Sequence, residues 1–232
     1  MKVKQFRYSK DNLGYLVYGP KTAIAIDPGA VKEMISFAEK KRVKIKYVTN
    51  THSHHDHMAG NKLMLEKTQA QFLDCNAIRN KTALKLDDED LLVFHTPGHT
   101  MDSLCFKADN ILITGDTLFN GTVGNCFSGD LLSFFNSLKL LLGFSNETII
   151  YGGHDYVKDS MVYAKLIDKQ NPETDRYLEK YNPDHIISTL EDEKKANPYI
   201  RFNEKTMVKI LDEKKLPKST EYERFKSIYE LY

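Results

Sequence analysis

Short apolar runs that stop at turn residues recur through the first two thirds of the chain, and they predict a layered α/β architecture. Residues 15–18 run apolar up to Gly19-Pro20, and residues 22–26 run apolar up to Asp27-Pro28-Gly29. Each reads as a strand closed by residues that favour tight turns. Over residues 30–41, Val31, Met34, Ile35 and Ala38 recur at helical spacing with lysines at the far end, so a helix follows. Residues 45–48 predict the next strand, 57–67 have helical character, and 72–75 return as a strand. Further strands are expected at 91–95, 104–107, 111–114 and 148–151, with a Leu- and Phe-rich helix at 131–142.

The pattern changes near residue 158. No Gly occurs after Gly153, charged residues dominate, and helical spacing takes over at 161–169 and 174–181. Prolines at 172, 183, 198 and 217 would separate short helices there. The expectation is an α/β unit over residues 1–158 and a helical unit over 159–232. No internal repeat is visible.

Charge and composition exclude more than they identify. The chain has 33 basic and 32 acidic residues, a net charge of +1, so no overall field draws it to nucleic acid or acidic lipid. No window approaches the ~20 apolar residues of a membrane span. The first residues do not resemble a signal peptide. Cys75, Cys105 and Cys126 are odd in number, far apart and without a Cys-x-x-Cys pair, which fits buried thiols in a reducing, cytoplasmic setting. Neither a nucleic-acid nor a membrane partner is expected.

The chemistry is concentrated in Thr51-His52-Ser53-His54-His55-Asp56-His57, which holds four of the eight histidines and follows a strand. Imidazole and carboxylate groups this dense are costly to hold together unless a cation orients them. Four more segments share one grammar, an apolar run, a small-residue turn, then a ligand type: His99 after Pro97-Gly98, Asp116 after Gly115, His154 after Gly152-Gly153, and Asp27 before Pro28-Gly29. His52, His54, Asp56, His57, His99, Asp116 and His154 are therefore seven candidate metal ligands. Seven are too many for one tetrahedral ion but suit two ions sharing a carboxylate. Asp27 either supports a ligand histidine or shapes its own turn.

The segment Thr-His-x-His-x-Asp-His at 51–57 resembles the marker of the metallo-β-lactamase superfamily. The resemblance implies an αββα sandwich, here followed by a small helical C-terminal domain. It also implies two divalent ions, zinc with iron or manganese as alternatives. His52, His54 and His99 would hold the first ion, Asp56, His57 and His154 the second, and Asp116 would bridge them. His55 occupies the variable position. A hydroxide held between the ions would attack the substrate, with Asp56 and Asp116 as the catalytic carboxylates.

Within that superfamily the chain resembles the glyoxalase II enzymes, the hydroxyacylglutathione hydrolases. The matching segments are Gly115-Asp116-Thr117-Leu118-Phe119, Gly153-His154-Asp155-Tyr156, Ser188-Thr189-Leu190-Glu191 and Asn197-Pro198-Tyr199-Ile200-Arg201-Phe202. The resemblance implies hydrolysis of a glutathione-derived thioester, such as S-lactoylglutathione, with Tyr156, Arg201, Lys205 and Asn125 contacting the carrier. Asn125 and Phe127 stand where that family usually presents a Lys and a Tyr, so a charge and a hydroxyl are missing; this loop also admits another alignment. The rivals are hydrolysis of a different thioester and a persulfide dioxygenase holding one iron through His52, His99 and Asp116.

Overall fold

The computed structural model describes residues 1–231. Its first sheet comprises β1 (Lys2–Tyr8), β2 (Asn12–Tyr18), β3 (Thr22–Ile26), β4 (Lys44–Thr49) and β5 (Gln71–Leu73), in that spatial order. The first three strands are antiparallel to their neighbours, and β3, β4 and β5 are parallel. Parallel neighbours need crossovers. These are α1 (Val31–Lys41) between β3 and β4, then α2 (His55–Met58) and α3 (Asn61–Thr68) between β4 and β5.

The second sheet contains β6 (Ala83–Leu86), β7 (Glu89–His95), β8 (Leu104–Ala108), β9 (Ile111–Gly115), β10 (Ile149–Gly152) and β11 (Ser188–Thr189), ordered β11-β10-β9-β8-β7-β6. Only β9 and β10 are parallel, joined across α4 (Leu131–Leu142). The remaining helices are α5 (Val157–Ile167), α6 (Glu173–Lys180), α7 (Leu190–Ala196), α8 (Lys205–Glu213) and α9 (Glu221–Tyr229).

Period-two alternation sorts the strand residues into layers. Leu13, Tyr15, Val17, Ile24 and Ile26 meet Leu91, Val93, Leu104, Phe106 and Ile113 in the core between the sheets. The opposite face of the first sheet, with Leu16, Ala23, Ala25 and Val48, is covered by Met34 and Ala38 of α1 and Met64 of α3. The opposite face of the second sheet, with Cys105, Leu112 and Ile150, is covered by Phe134, Leu138 and Leu141 of α4. The order helix, sheet, sheet, helix is the expected αββα sandwich.

The helices after residue 158 do not build a core of their own. Met161, Ala164 and Tyr177 enter the inter-sheet core, whereas Leu190, Phe202, Met207, Leu211 and Phe225 pack on α4 and the outer face of the second sheet. The chain also returns to the sheet there, because β11 pairs with β10 through Ile149↔Thr189 and Ile150↔Ser188.

Some elements differ from the pattern-based expectation. The helix expected at 57–67 is two, α2 and α3, broken at Ala59-Gly60. A Cβ on Gly60 would lie 1.8 Å from the Pro28 carbonyl, so the backbones touch at this break. The strand β1 was not anticipated individually because its sequence, KVKQFRY, is mostly polar. It is an edge strand in which only Gln5 is buried.

One consequence of the topology fixes the site. The strands β3, β4, β7, β9 and β10 all end at the same margin of the sandwich, and the antiparallel β2 begins there. Backbone bonds stitch the margin together: Leu13 N to Gly153 O at 2.8 Å, Leu104 N to Thr51 O at 2.7 Å, and Gly153 N to Gly115 O at 2.8 Å.

Candidate metal centre and adjoining pocket

The ends of four of these strands deliver candidate ligands to this margin. β4 leads to His52, His54, Asp56 and His57; β7 to His99; β9 to Asp116; and β10 to His154. Their ligand atoms converge in three groups: His52 with His54 and His99; His52 with His57 and Asp116; and Asp56 with His57 and His154. Asp116 sits between the outer two. Its Oδ2 is 3.5 Å from both His99 Nε2 and His154 Nε2, and its Oδ1 is 3.4 Å from His57 Nε2. His55 is exposed at the start of α2 and belongs to none of the groups.

The outward nitrogens of these rings are already committed. His57 Nδ1 lies 2.9 Å from Asp27 Oδ2, His154 Nδ1 lies 3.1 Å from Asp11 Oδ1, and His99 Nδ1 lies 2.8 Å from the Asn125 carbonyl. Each acceptor requires the proton on Nδ1, which leaves the Nε2 lone pair facing inward. His52 is set indirectly. The Thr51 hydroxyl donates to Asp27 Oδ2 at 2.7 Å, so its oxygen accepts from His52 Nδ1 at 3.1 Å. Asp27 therefore fixes two rings. It is fully buried, also accepts from Thr51 N at 2.8 Å, and has a left-handed backbone with φ +52°.

Two observations test whether these residues suit a metal. His54 Nδ1 faces both His52 Nε2 and His99 Nε2 at 3.0 Å, an arrangement that a single proton cannot satisfy on both sides. Asp116 Oδ1 is buried with no hydrogen-bond partner. A divalent cation answers both, and the nitrogen and carboxylate donor set suits one. Without metal, burial pushes His52 down to about 3, with the His57 charge adding to it. Burial would raise the Asp116 carboxyl, but the His154 and His57 rings outweigh it and hold the group well below the usual carboxylate range.

Glycines let the strand ends close in on these ligands. A Cβ on Gly153 would lie 2.1 Å from Asp116 Oδ1 and 3.0 Å from His57 Cε1, and one on Gly124 would lie 3.1 Å from His99 Nδ1. Asp11 and Asn12 escape the strand-then-ligand grammar because they stand at the start of a strand, β2, instead of at the end of one. Asn12 Nδ2 donates to Asp56 Oδ2 at 2.7 Å.

A pocket of about 330 Å³ adjoins the cluster, lined among others by Asn125, Tyr156, Asp159, Tyr163, Tyr199 and Tyr229. The Tyr156 ring stacks on His154 with centroids 5.0 Å apart, and the Asn125 carbonyl holds His99, so the pocket shares a wall with the ligands. Phe127 is 66% exposed, with its ring 5.2 Å from His99 and 5.7 Å from His54. Of the expected carrier contacts, Tyr156 and Asn125 line this pocket, and Arg201 and Lys205 do not. Arg201 is buried and pairs with Asp168 at 3.1 Å, beside a separate cavity of about 670 Å³. Lys205 is exposed at the start of α8. Cys75, Cys105 and Cys126 are all free thiols; Cys75 and Cys105 are buried, and burial pushes both up to about 12.

Comparison with known proteins agrees with the geometry. The family model described as Metallo-beta-lactamase superfamily matches residues 12–72 and 82–154, and the chain belongs to that superfamily. The model described as Hydroxyacylglutathione hydrolase C-terminus matches residues 155–231. Within the superfamily the chain falls in the hydroxyacylglutathione hydrolase family. It is 32% identical to the hydroxyacylglutathione hydrolase of Pelagibacter ubique over 223 residues, covering 87% of this chain and 93% of the relative. It is 30% identical to that of Bartonella tribocorum, covering 98% of this chain and 97% of the relative. Among solved structures, ETHE1 from Myxococcus xanthus superposes with a TM-score of 0.72 at 21% identity, over 100% of this chain and 91% of that one, a likeness of fold.

Proposed function

We propose that the protein is a dinuclear metallohydrolase that cleaves 2-hydroxyacyl thioesters of the S-lactoylglutathione type to a 2-hydroxy acid and a thiol. The observation that carries this reading is the convergence of seven ligand residues on a pocket wall, with Asp116 between two triads. Its relatives' names point the same way. His52, His54 and His99 would hold one divalent ion and Asp56, His57 and His154 the other, with Asp116 shared. When bound, such ions supply a water of pKa lowered towards ~7 and polarise the substrate carbonyl.

The chain's own groups position the reaction. Asn12 restrains one oxygen of the half-exposed Asp56, leaving the other to orient the attacking water. Asp27 and Asp11 keep the His57 and His154 rings in one tautomer. The leaving thiolate is stable enough that no dedicated general acid is required. Tyr156 and Asn125 would contact the carrier, with residues 1–158 supplying the metal centre and 159–232 much of the carrier wall. No helix of the described residues is long and apolar enough to cross a membrane, and the free thiols fit a cytoplasmic setting.

Metal analysis and an S-lactoylglutathione assay on the same preparation test the proposal. Chelation should abolish turnover, and zinc, iron or manganese should restore it. Absence of thioester turnover by metal-loaded protein overturns the reading. One iron per chain together with oxygen uptake on glutathione persulfide would assign the dioxygenase reaction instead.

A further inference from the structure

The pocket beside the metal centre has a chemistry of its own. Four tyrosines and Asn125 are among the residues that line it, and its one charged lining residue is Asp159. Among the described residues no Lys or Arg lines it. Several cations of the C-terminal region hold partners of their own, whereas Lys205 is exposed at the start of α8. Arg201 pairs with Asp168, Lys165 with Asp175 and Lys226 with Glu230, Arg224 bonds Asn203, and the Lys158 ammonium lies 5.8 Å from the Tyr181 ring centroid.

Glutathione has two carboxylates and one ammonium. A pocket that selected it by its ends would present cations, because carboxylates are recognised most strongly by charge-assisted bonds from Arg or Lys. Here the available forces are different. Aromatic faces offer broad apolar contact, and Asn125 and Thr122 add scattered polar groups, which suits an amide-rich, uncharged chain. Asp159 adds a mild penalty for an anionic end, screened by solvent because it is exposed.

We infer that this pocket accepts thioesters by aromatic and hydrogen-bond contact with an uncharged carrier, so the activity extends to carriers without carboxylates, of the pantetheine kind. The inference rests on the thioesterase reading above. The reaction is ordinary hydrolysis: water adds to the acyl carbon, the C–S bond breaks, and the sulfur leaves as thiolate to be protonated by solvent. No other reactant is needed.

The experiment compares S-lactoylglutathione with S-lactoylpantetheine, which share an acyl group and have carriers of similar length. With metal-loaded protein, kcat/KM for the pantetheine ester should lie within tenfold of the glutathione ester or exceed it. KM for the glutathione ester should stay level or fall as salt rises from 0.02 to 0.5 M, on the order of the range over which exposed charges are screened. Asp159→Lys should shift the ratio of kcat/KM between the two esters towards glutathione by roughly threefold to tenfold, the size of one exposed charge contact. A preference for glutathione above tenfold, with KM rising in salt, overturns the inference while leaving the hydrolase intact. No turnover of either ester overturns both.

Discussion

Replacing Asp27 by Asn isolates what the buried carboxylate does for the metal centre. Asn tolerates the left-handed backbone that Asp27 adopts at φ +52°, so the turn into Pro28 should survive. The side chain is nearly isosteric, and its remaining oxygen can still accept from Thr51 N. The other oxygen becomes an NH₂ that faces two donors, the Thr51 hydroxyl at 2.7 Å and His57 Nδ1 at 2.9 Å. Both bonds are to a charged acceptor, and such bonds contribute about 1.5–3 kcal/mol each. Rotation of the Thr51 hydroxyl can recover part of one, so the metal-free protein should lose about 2–3 kcal/mol. At roughly 2–4 °C per kcal/mol for a chain of this size, the melting temperature should fall by about 4–12 °C. The second effect is on the ring. His57 can meet an amide NH₂ only by accepting at Nδ1, which moves its proton to Nε2 and removes the inward lone pair. Loss of such a supporting contact typically weakens metal binding by about 10–100-fold. Circular dichroism melts of metal-stripped protein measure the first effect, and chelator competition for zinc measures the second. A variant that melts within ~1 °C of the parent and keeps its zinc affinity refutes the assignment of the His57 tautomer to Asp27.

Three further perturbations probe separate features. Gly153→Ala would put a methyl 2.1 Å from Asp116 Oδ1; bound metal should drop and activity fall by roughly 100-fold or more as the Asp116 carboxylate is displaced, while far-UV circular dichroism stays unchanged, and full metal content would contradict this. Glu193→Ala removes a buried carboxylate that accepts from Gly121 N, Ser188 Oγ, Asn197 Nδ2 and the Tyr177 hydroxyl; leaving these donors unpaired should cost about 3–5 kcal/mol by denaturant titration, and a loss below ~1 kcal/mol would be inconsistent. Burial holds the Glu193 carboxyl above its usual value despite those donors. The folded state therefore favours the protonated form, its contribution is complete below about 4.3 and is lost as pH rises through the raised value. Relative to Glu193→Gln, which does not titrate, wild-type stability should thus decline from acid towards neutral pH; the opposite slope would show that the donors outweigh burial.

The fold was readable where hydrophobic period and turn chemistry coincide. The strand at 22–26 and the helix at 131–142 fall where alternation or Leu and Phe density ends at Asp27-Pro28-Gly29 or Gly143. The edge strands β1, β6 and β11 were not individually anticipated, since an edge has little to bury and its residues are chosen for solubility. Ser188–Thr189 is only two residues long and belongs to the sheet through β10 alone. The composition shift near 158 was real in sequence, yet the helices after it share both existing cores, because apolar spacing shows that a helix has a buried face and not what covers it.

The candidate ligands were legible for the same reason that they are close in space. A residue at the end of a strand is placed by that strand, so a repeated strand, turn and ligand pattern states both the identity and the common position of the group. The partners of the outward ring nitrogens have no such pattern. Asp11 precedes strand β2 and Asn12 opens it, and the acceptor for His99 is a backbone carbonyl, which any residue at position 125 would offer. Arg201 shows what residue type leaves out. Its type suits a carboxylate ligand, and the folded chain gives it a buried partner, Asp168, 33 positions away. Residue type therefore marks the candidate groups, whereas the availability of each depends on contacts that only the folded chain defines.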